Sequence, residues 1–246
     1  YDVACCAFFY FHQLLNKRKI SSMSNPTHVI TVDAAGTLIR PWPSVGAVYG
    51  GTARKFGLTV EDGEVDRRFY EVFGKVQKDR KITSGKEKDF WKQVVLAVFE
   101  PHAEKRNLDP LFEELWELFA RGDHWRLADG AKNTLSELQE RGYRLAVLSN
   151  NDSRLRSVLK DLAIDSLFEK IFISSEMGIE KPDPAIFREV EKSFGKEPSR
   201  FLHVGDSHSR DFEGARKAGW DALLFGKPII EERQITTFPE LLALLP

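Results

Sequence analysis

Cysteine is nearly missing from this sequence, and so is an excess of charge of one sign. The chain of 246 residues contains 2 cysteines, Cys5 and Cys6, which are adjacent. Neither a disulfide framework nor a cysteine-based metal site is therefore available. The 36 Lys and Arg residues balance 37 Asp and Glu residues, for a formal net charge of -1. This balance argues against nucleic acid as a partner, because nucleic-acid-binding domains usually carry a basic surface.

Long apolar runs are also missing. The apolar run at residues 3–11 is too short to span a bilayer. The basic residues 17–19 follow that run, whereas a signal peptide carries its positive charge in front of it. We interpret residues 1–22 as an upstream remnant, with a membrane anchor as the alternative, and predict that residues 1–27 are an N-terminal extension outside the fold. The rest of the chain indicates a cytoplasmic protein with no membrane partner.

Beyond residue 27, the spacing of apolar residues indicates two kinds of structure. From Ser44 to Gly122 apolar residues recur at helical spacing, and no stretch has the pattern of a strand. From Asp129 onwards short apolar runs alternate with amphipathic helices, which is typical of a parallel sheet. The predicted fold class is α/β, with a Rossmann-like three-layer core around a parallel sheet and an inserted all-helical cap. The predicted core covers 28–43 and 123–246, and the predicted cap covers 44–122.

Polar residues stand where predicted strands lead into their loops. Asp33 follows the first strand, and Ser149 follows the second. Lys181 lies in a later strand-to-helix connection, while Asp206 and Asp211 follow another strand. Ligands of open α/β sheets bind beyond the carboxyl ends of the strands, so these side chains are expected at one edge. They would supply a nucleophilic carboxylate, a hydroxyl donor, a cation and acids suited to Mg²⁺ with substrate phosphate oxygens.

The residues around these positions form four short motifs. They are DAAGT at Asp33, SNND at Ser149, KPDP at Lys181 and GDSHSRD from Asp206 to Asp211. Together and in this order, they resemble the motifs of the haloacid dehalogenase superfamily, from residue 28 to the C-terminus. The helical block between the first two motifs resembles the C1-type cap of that family.

The resemblance implies a hydrolase that acts on a small phosphorylated molecule. Asp33 would attack phosphorus and form an aspartyl-phosphate, while Lys181 would neutralise charge on the phosphoryl group. Gly36 and Thr37 would shape the turn that lets substrate approach. The implied catalytic residues are Asp33, Ser149 and Lys181. The implied substrate-binding residues are Thr37, Ser149, Asn150 through its amide, and Lys181. The implied Mg²⁺ ligands are Asp33, the backbone carbonyl of Ala35, Asp206 and, in support, Asp211.

One position departs from the family pattern. Family phosphatases usually carry a second Asp two residues after the nucleophile, where it protonates the leaving alcohol and later activates water, and here that residue is Ala35. Loss of a general acid and base typically costs about 10²- to 10⁴-fold in rate. A phosphohydrolase is therefore expected to use substrates that need no enzyme acid, such as acyl phosphates, or to take an acid from the cap.

Two other functions stay open at this stage. DAAGT also resembles the first motif of 2-haloacid dehalogenases, which attack carbon without metal, although dehalogenases lack acids comparable to those in GDSHSRD. A non-catalytic binding or regulatory protein could keep the same fold. The sequence does not distinguish a monomer from a homodimer.

A few residues near these motifs are considered for substrate selection or catalysis. Arg40, Trp42 and Tyr49 are close to the first motif in the chain, although a Trp beside prolines more often serves packing. His203 lies inside an apolar strand and is interpreted as a core histidine, while His208 is interpreted as a loop residue. The lysines considered as cap-borne catalytic groups are Lys55, Lys75 and Lys78.

Overall fold

The computed structural model describes residues 28–79 and 85–246. The prediction for residues 1–27 therefore lies outside the described residues. Within the two described ranges, no helix combines the length and the apolar character that a membrane span requires.

A six-stranded parallel sheet forms the centre of the molecule. Its strand order is β5-β4-β1-β6-β7-β8, so the first strand lies between two strands from the second half of the chain. The predicted α/β fold class is confirmed. The strands of the described residues are β1 (Val29–Val32), β2 (Ile39–Pro41), β3 (Trp125–Leu127), β4 (Arg144–Ser149), β5 (Lys170–Ile173), β6 (Phe201–Gly205), β7 (Asp221–Phe225) and β8 (Gln234–Ile235).

Four helices follow β2 and pack around a hydrophobic cluster of their own. This cluster is rich in aromatic residues, including Tyr49, Phe69, Phe90, Phe99 and Phe112. We call these four the cap helices; the assignment of residues 44–122 as a separate cap stays a prediction. The cap helices are α1 (Val45–Lys55), α2 (Asp62–Asp79), α3 (Glu87–Phe99) and α4 (Asp109–Leu118).

The remaining helices cover both faces of the sheet. They are α5 (Ala131–Glu140), α6 (Arg154–Asp161), α7 (Ser174–Met177), α8 (Pro184–Phe194), α9 (Glu213–Lys217) and α10 (Pro239–Leu244). Successive side chains of a strand point to opposite faces of the sheet. Accordingly Ile30 joins the cluster that contains Leu135 of α5, whereas Val29 joins the cluster that contains Phe187 of α8. The result is the expected three-layer core, with β1 buried on both faces.

A two-stranded antiparallel ribbon joins the sheet to the cap helices. β2 pairs with β3, with Ile39 opposite Leu127 and Pro41 opposite Trp125. Neither strand of this ribbon was predicted from the sequence, because each has its pairing partner far away in the chain. Both connections between the sheet and the cap helices pass through this ribbon.

Candidate active site

The carboxyl edge of the sheet brings together the predicted site residues. Asp33 follows β1, and its neighbours β4 and β6 end at Ser149 and Gly205. Lys181 enters from the loop between α7 and α8, and its Nζ lies 2.9 Å from Oδ1 of Asp33. Both side chains are buried, with 7% of Asp33 and 2% of Lys181 exposed. The strand order thus produces an acid–lysine pair beneath the cap helices.

Lys181 is held as a fixed cation. Its Nζ lies 2.6 Å from Oδ1 of Asp211 and donates to the carbonyl oxygen of Leu148 at 2.6 Å, besides its contact with Asp33. An ammonium group has three hydrogens to donate, and these three oxygens match that number. Burial acts against the charge of Lys181, but the carboxylates of Asp211 and Asp33 raise its pKa above the ordinary value. Lys181 is therefore positioned and charged before substrate arrives.

Three carboxylates meet at the same edge. One oxygen each from Asp33, Asp206 and Asp211 lies within 4.8 Å of the others. Burial raises the pKa of Asp33, although the Lys181 ammonium opposes that shift. Desolvation in the cavity, together with the charges of Asp33 and Asp211, raises the pKa of Asp206 to about 6. Burial would also raise the pKa of Asp211, but Lys181 outweighs it and holds that pKa below its usual range.

The three acids differ in how far they are already bonded. Asp211 is nearly saturated, since Oδ1 contacts Lys181 and Oδ2 accepts a hydrogen bond from the backbone N–H of Ser207 at 2.8 Å. Asp206 lies at the cavity mouth and is exposed, with the hydroxyl of Thr37 donating to it at 3.3 Å. Asp33 and Asp206 are thus the acids best placed to bind a cation, with Asp211 behind them.

The backbone after Asp33 also fits a hard cation such as Mg²⁺. Gly36 has φ +99°, and a Cβ there would lie 2.5 Å from Oδ2 of Asp206, so glycine permits the turn to approach that carboxylate. Among the described residues, no hydrogen bond is donated to the carbonyl of Ala35. Mg²⁺ takes one or two carboxylates together with other oxygens, and this edge offers that donor set.

The residues predicted to bind phosphoryl oxygens are placed in different ways. Ser149 is buried and lines the cavity beside Asp33. The side-chain amide of Asn150 exchanges two hydrogen bonds of 2.8 Å with the backbone of Lys181, so this amide positions the lysine loop. Thr37 is buried, and its hydroxyl group is in contact with Asp206.

His203 belongs to the hydrogen-bond network of the site, which the sequence interpretation missed. It is buried in β6 as expected, but its Nε2 lies 3.1 Å from Oδ1 of Asp211 and its Nδ1 lies 2.8 Å from the hydroxyl of Thr31. Burial and Lys181 lower the pKa of His203, which favours a neutral ring that donates to Asp211 and accepts from Thr31. The available signal in the sequence was a polar residue inside each of two apolar strands, Thr31 and His203. That these two residues are adjacent depends on the strand order.

A cavity of about 520 Å³ separates these residues from the cap helices. Arg40 and Tyr49, which the sequence analysis considered for substrate selection, line the cavity. Trp42, considered with them, is exposed, and the guanidinium of Arg126 lies over its ring. Lys55 and Lys75 are not among the described residues that line the cavity. The side chain of Lys78 lies outside the described part of the structure.

A buried ion pair between Asp152 and Arg154 contacts the cap helices, and no local pattern in the chain indicated these contacts. Asp152 accepts two hydrogen bonds of 2.8 Å from the guanidinium of Arg154 and one of 2.7 Å from the indole N–H of Trp91 in α3. The guanidinium of Arg154 lies 3.7 Å from the ring centroid of Trp116 in α4. Asp152, just before α6, and Arg154, its first residue, therefore contact two tryptophans of the cap helices.

The fold and the site define an α/β protein with its polar groups at the carboxyl edge of a parallel sheet. The family model for haloacid dehalogenase-like hydrolase matches residues 27–219. The chain therefore belongs to the haloacid dehalogenase-like hydrolase family, which confirms the resemblance in its four motifs.

Two relatives carry the same description. Haloacid dehalogenase-like hydrolase domain-containing protein 3 from Mus musculus is 34% identical over 207 residues, covering 80% of this chain and 80% of that protein. The Homo sapiens protein of that name is 32% identical over 209 residues, covering 81% of this chain and 82% of its own. The likeness extends through most of both proteins.

Solved structures share the fold at lower identity. A putative HAD-hydrolase from Bacillus subtilis, bound to magnesium, has a TM-score of 0.76 at 19% identity and covers 90% of this chain and 99% of its own. A dehalogenase with an intermediate complex has a TM-score of 0.68 at 21% identity, with coverages of 90% and 98%. A HAD phosphatase from Thermococcus onnurineus has a TM-score of 0.60 at 24% identity, with coverages of 87% and 96%. Phosphatases and dehalogenases thus both share this fold.

Proposed function

We propose that the chain is a Mg²⁺-dependent phosphohydrolase that acts on a small phosphorylated metabolite through an aspartyl-phosphate at Asp33. The observation that carries the proposal is the position of Lys181, whose ammonium lies between Asp33 and Asp211 at 2.9 and 2.6 Å. This arrangement keeps the nucleophilic carboxylate and the ammonium group in contact, next to the three acids of the site. Phosphoryl transfer depends mainly on such positioning and charge neutralisation.

The reaction proceeds in two displacements. A carboxylate oxygen of Asp33 forms a bond to phosphorus while the bond from phosphorus to the leaving oxygen breaks. Water then attacks phosphorus, the bond to Asp33 breaks, and inorganic phosphate departs with the carboxylate restored. Lys181 neutralises the nucleophile and the phosphoryl oxygens. The Ser149 hydroxyl and the Asn150 backbone N–H donate to those oxygens.

The acids of the site support Mg²⁺ as the cofactor. Asp33, Asp206 and the carbonyl of Ala35 would hold Mg²⁺, with Asp211 in support and Thr37 orienting Asp206. Bound there, the cation would neutralise charge on the phosphoryl group and let three neighbouring carboxylates remain ionised. The same acids argue against metal-free attack on a haloacid, because an anionic substrate would approach the carboxylate of Asp206, whose charged neighbours are the acids Asp33 and Asp211.

The test is phosphate release from p-nitrophenyl phosphate and acetyl phosphate, with Mg²⁺ or with EDTA. We expect turnover with Mg²⁺, loss in EDTA, and loss in Asp33→Asn, since an amide is not a nucleophile toward phosphorus. Asp123→Asn is the matched control, because that side chain is 64% exposed and outside the cavity. It should retain the activity of the parent protein.

Two outcomes would contradict this function. Phosphate release that survives both EDTA and Asp33→Asn would show that another group does the chemistry. Halide release from a short 2-haloacid without added metal, together with no phosphate release, would assign the site to dehalogenation. Circular dichroism of Asp33→Asn separates loss of the nucleophile from loss of the fold.

A further inference from the structure

The wall of the cavity opposite Asp33 is aromatic. Phe73, Trp91, Trp116 and Phe119, all on or beside the cap helices, line the cavity and are partly buried. Phe73 and Trp91 stack with ring centroids 5.7 Å apart and an interplanar angle of 16°. Ligand pockets of about 300–1,000 Å³ suit small organic molecules, and the volume here lies in that range. This surface favours a flat, apolar group next to the phosphoryl site.

The charges around the cavity are already balanced. Among the described lining residues, the acids Asp33, Asp152, Asp206 and Asp211 are matched by Lys181 and three arginines. Mg²⁺ and a dianionic phosphoryl group would cancel each other in turn. No cationic charge remains for a second anionic group, and burial of an unpaired charge is costly. The rest of the substrate is therefore expected to be neutral.

One polar group faces this apolar space without a partner. Tyr49 is 3% exposed and lines the cavity, and among the described residues its hydroxyl makes no hydrogen bond. Burial raises the pKa of Tyr49 well above its usual range, so the hydroxyl stays protonated and can only donate or accept as a neutral group. A ring that carries an oxygen substituent would satisfy it.

Ala35 sets a further condition on the leaving group. Without an acid at that position, the leaving oxygen departs as an anion. A phenol has a pKa of about 10, as in tyrosine, whereas the hydroxyl of water has a pKa of roughly 16 and alkyl alcohols are comparable. Phenolates are therefore far better leaving groups than alkoxides here.

We propose that the substrate is an aryl phosphate, a phosphate monoester of a neutral phenol, whose ring lies against Phe73 and Trp91. This inference rests on the phosphohydrolase function proposed above. The bond from phosphorus to the phenolic oxygen breaks as Asp33 attacks, and its electron pair leaves on the phenolate, which takes a proton from water. A second water molecule attacks phosphorus, the bond to Asp33 breaks, and the proton this water releases converts the remaining hydroxide back to water, so one ester and one water yield one phenol and one phosphate.

Four compounds separate the ring from the leaving group. p-Nitrophenyl phosphate has both a ring and a good leaving group, benzyl phosphate has a ring and a poor one, acetyl phosphate has a good leaving group without a ring, and glycerol phosphate has neither. We expect the highest kcat/KM for p-nitrophenyl phosphate and a higher KM for acetyl phosphate. Benzyl phosphate should bind and inhibit competitively, but turn over about 10²-fold more slowly or less.

Phe73→Leu tests the ring contact directly. It removes aromatic surface from the cavity wall and should raise KM for p-nitrophenyl phosphate and Ki for benzyl phosphate about three- to tenfold, with acetyl phosphate unchanged. Phe56→Leu is the matched control, since Phe56 follows α1, is 39% exposed and does not line the cavity. It should leave all four compounds unaffected.

The outcomes separate the two proposals. Asp33-dependent turnover of acetyl phosphate with no preference for rings, and no effect of Phe73→Leu on any KM or Ki, would overturn the aryl phosphate and leave the phosphohydrolase intact. A parallel effect of Phe73→Leu on acetyl phosphate would also overturn it, because the change would then act through the fold. No Asp33-dependent phosphate release from any of the four compounds would overturn both.

Discussion

Ala35 is the residue at which this chain departs from the phosphatases it resembles, and it lines the cavity next to Asp33. Its side chain is exposed, so a carboxylate there has room and solvent. Ala35→Asp should raise kcat for glycerol phosphate by about 10²- to 10⁴-fold, because it supplies the missing proton donor. The gain for p-nitrophenyl phosphate should be small, since nitrophenolate leaves without a proton. Steady-state kinetics on both substrates measures the difference.

Ala35→Asn is the control for that substitution. It has nearly the same shape as the aspartate variant but no proton to give, so it should leave the rate with glycerol phosphate at the level of the parent protein. Equal gains from both variants would mean that the side chain acts through binding or shape and not as an acid.

Gly36 is the second residue whose identity the site requires. Gly36→Ala would strain a backbone at φ +99° and place a methyl group 2.5 Å from Oδ2 of Asp206. We expect a stability loss of about 1–3 kcal/mol and a Mg²⁺ affinity weakened by about tenfold or more, because Asp206 must move away. Urea unfolding and calorimetric titration with Mg²⁺ measure the two effects.

Gly142→Ala is matched to that change. Gly142 has φ +89°, and a Cβ there would meet nothing within 4 Å. It should show a loss of stability from the backbone alone, with Mg²⁺ affinity intact. If both variants weakened Mg²⁺ binding equally, contact with Asp206 would not be the cause.

At the scale of elements, α3 contacts the loop after β4 through a hydrogen bond from Trp91. Trp91→Phe keeps a ring at that position and removes the N–H that donates to the buried carboxylate of Asp152. Hydrogen bonds to charged groups contribute about 1.5–3 kcal/mol, so we expect a stability loss of that order. Amide hydrogen exchange should quicken in α3 before it changes in β1.

Trp42→Phe is the comparison variant. Trp42 is 41% exposed and lies outside the cavity, so its replacement should change neither stability nor exchange in α3 appreciably. Similar effects from the two tryptophans would indicate that the contact with Asp152 does not hold the cap helices.

Helices and long strands were largely predictable, and short strands were not. The helical spacing that begins at Ser44 is observed first as α1, with the Ser44 side chain accepting from the backbone N–H of Ala47 at 3.0 Å. That outcome follows from local signals, since capping and helical spacing act within a few residues. β2 and β8 were missed, because strands of three and two residues are too short to show an alternating pattern and exist only through the strands they pair with.

At the scale of the whole molecule, the proposed Mg²⁺ site at the acidic edge should couple metal binding to stability. A ligand that binds only the folded state stabilises it, by about 2.7 kcal/mol at a concentration of 100 times its dissociation constant. For a chain of this size, Mg²⁺ should therefore raise the melting temperature on the order of 5–10 °C. Differential scanning calorimetry with and without Mg²⁺ tests this.

Asp206→Asn should remove most of that shift, because it deletes the exposed carboxylate of the predicted metal site. Asp183→Asn is suited as its control, since Asp183 caps α8 by accepting from the backbone N–H of Ala185 at 2.9 Å, outside the cavity. A Mg²⁺-dependent rise that persists in Asp206→Asn would place the cation elsewhere.

The sequence by itself determined the fold class, most helices and the four motifs, because periodicity, capping and motif residues are local properties of the chain. Only the tertiary structure decided what these residues do to each other. Lys181 and Asp33 are 148 positions apart, yet the parallel order β4-β1-β6 places them 2.9 Å from each other. The same strand order makes His203, which the sequence indicated only as a core residue, a hydrogen-bond partner of Asp211. Such contacts depend on how distant segments pack, which no local pattern in the chain encodes.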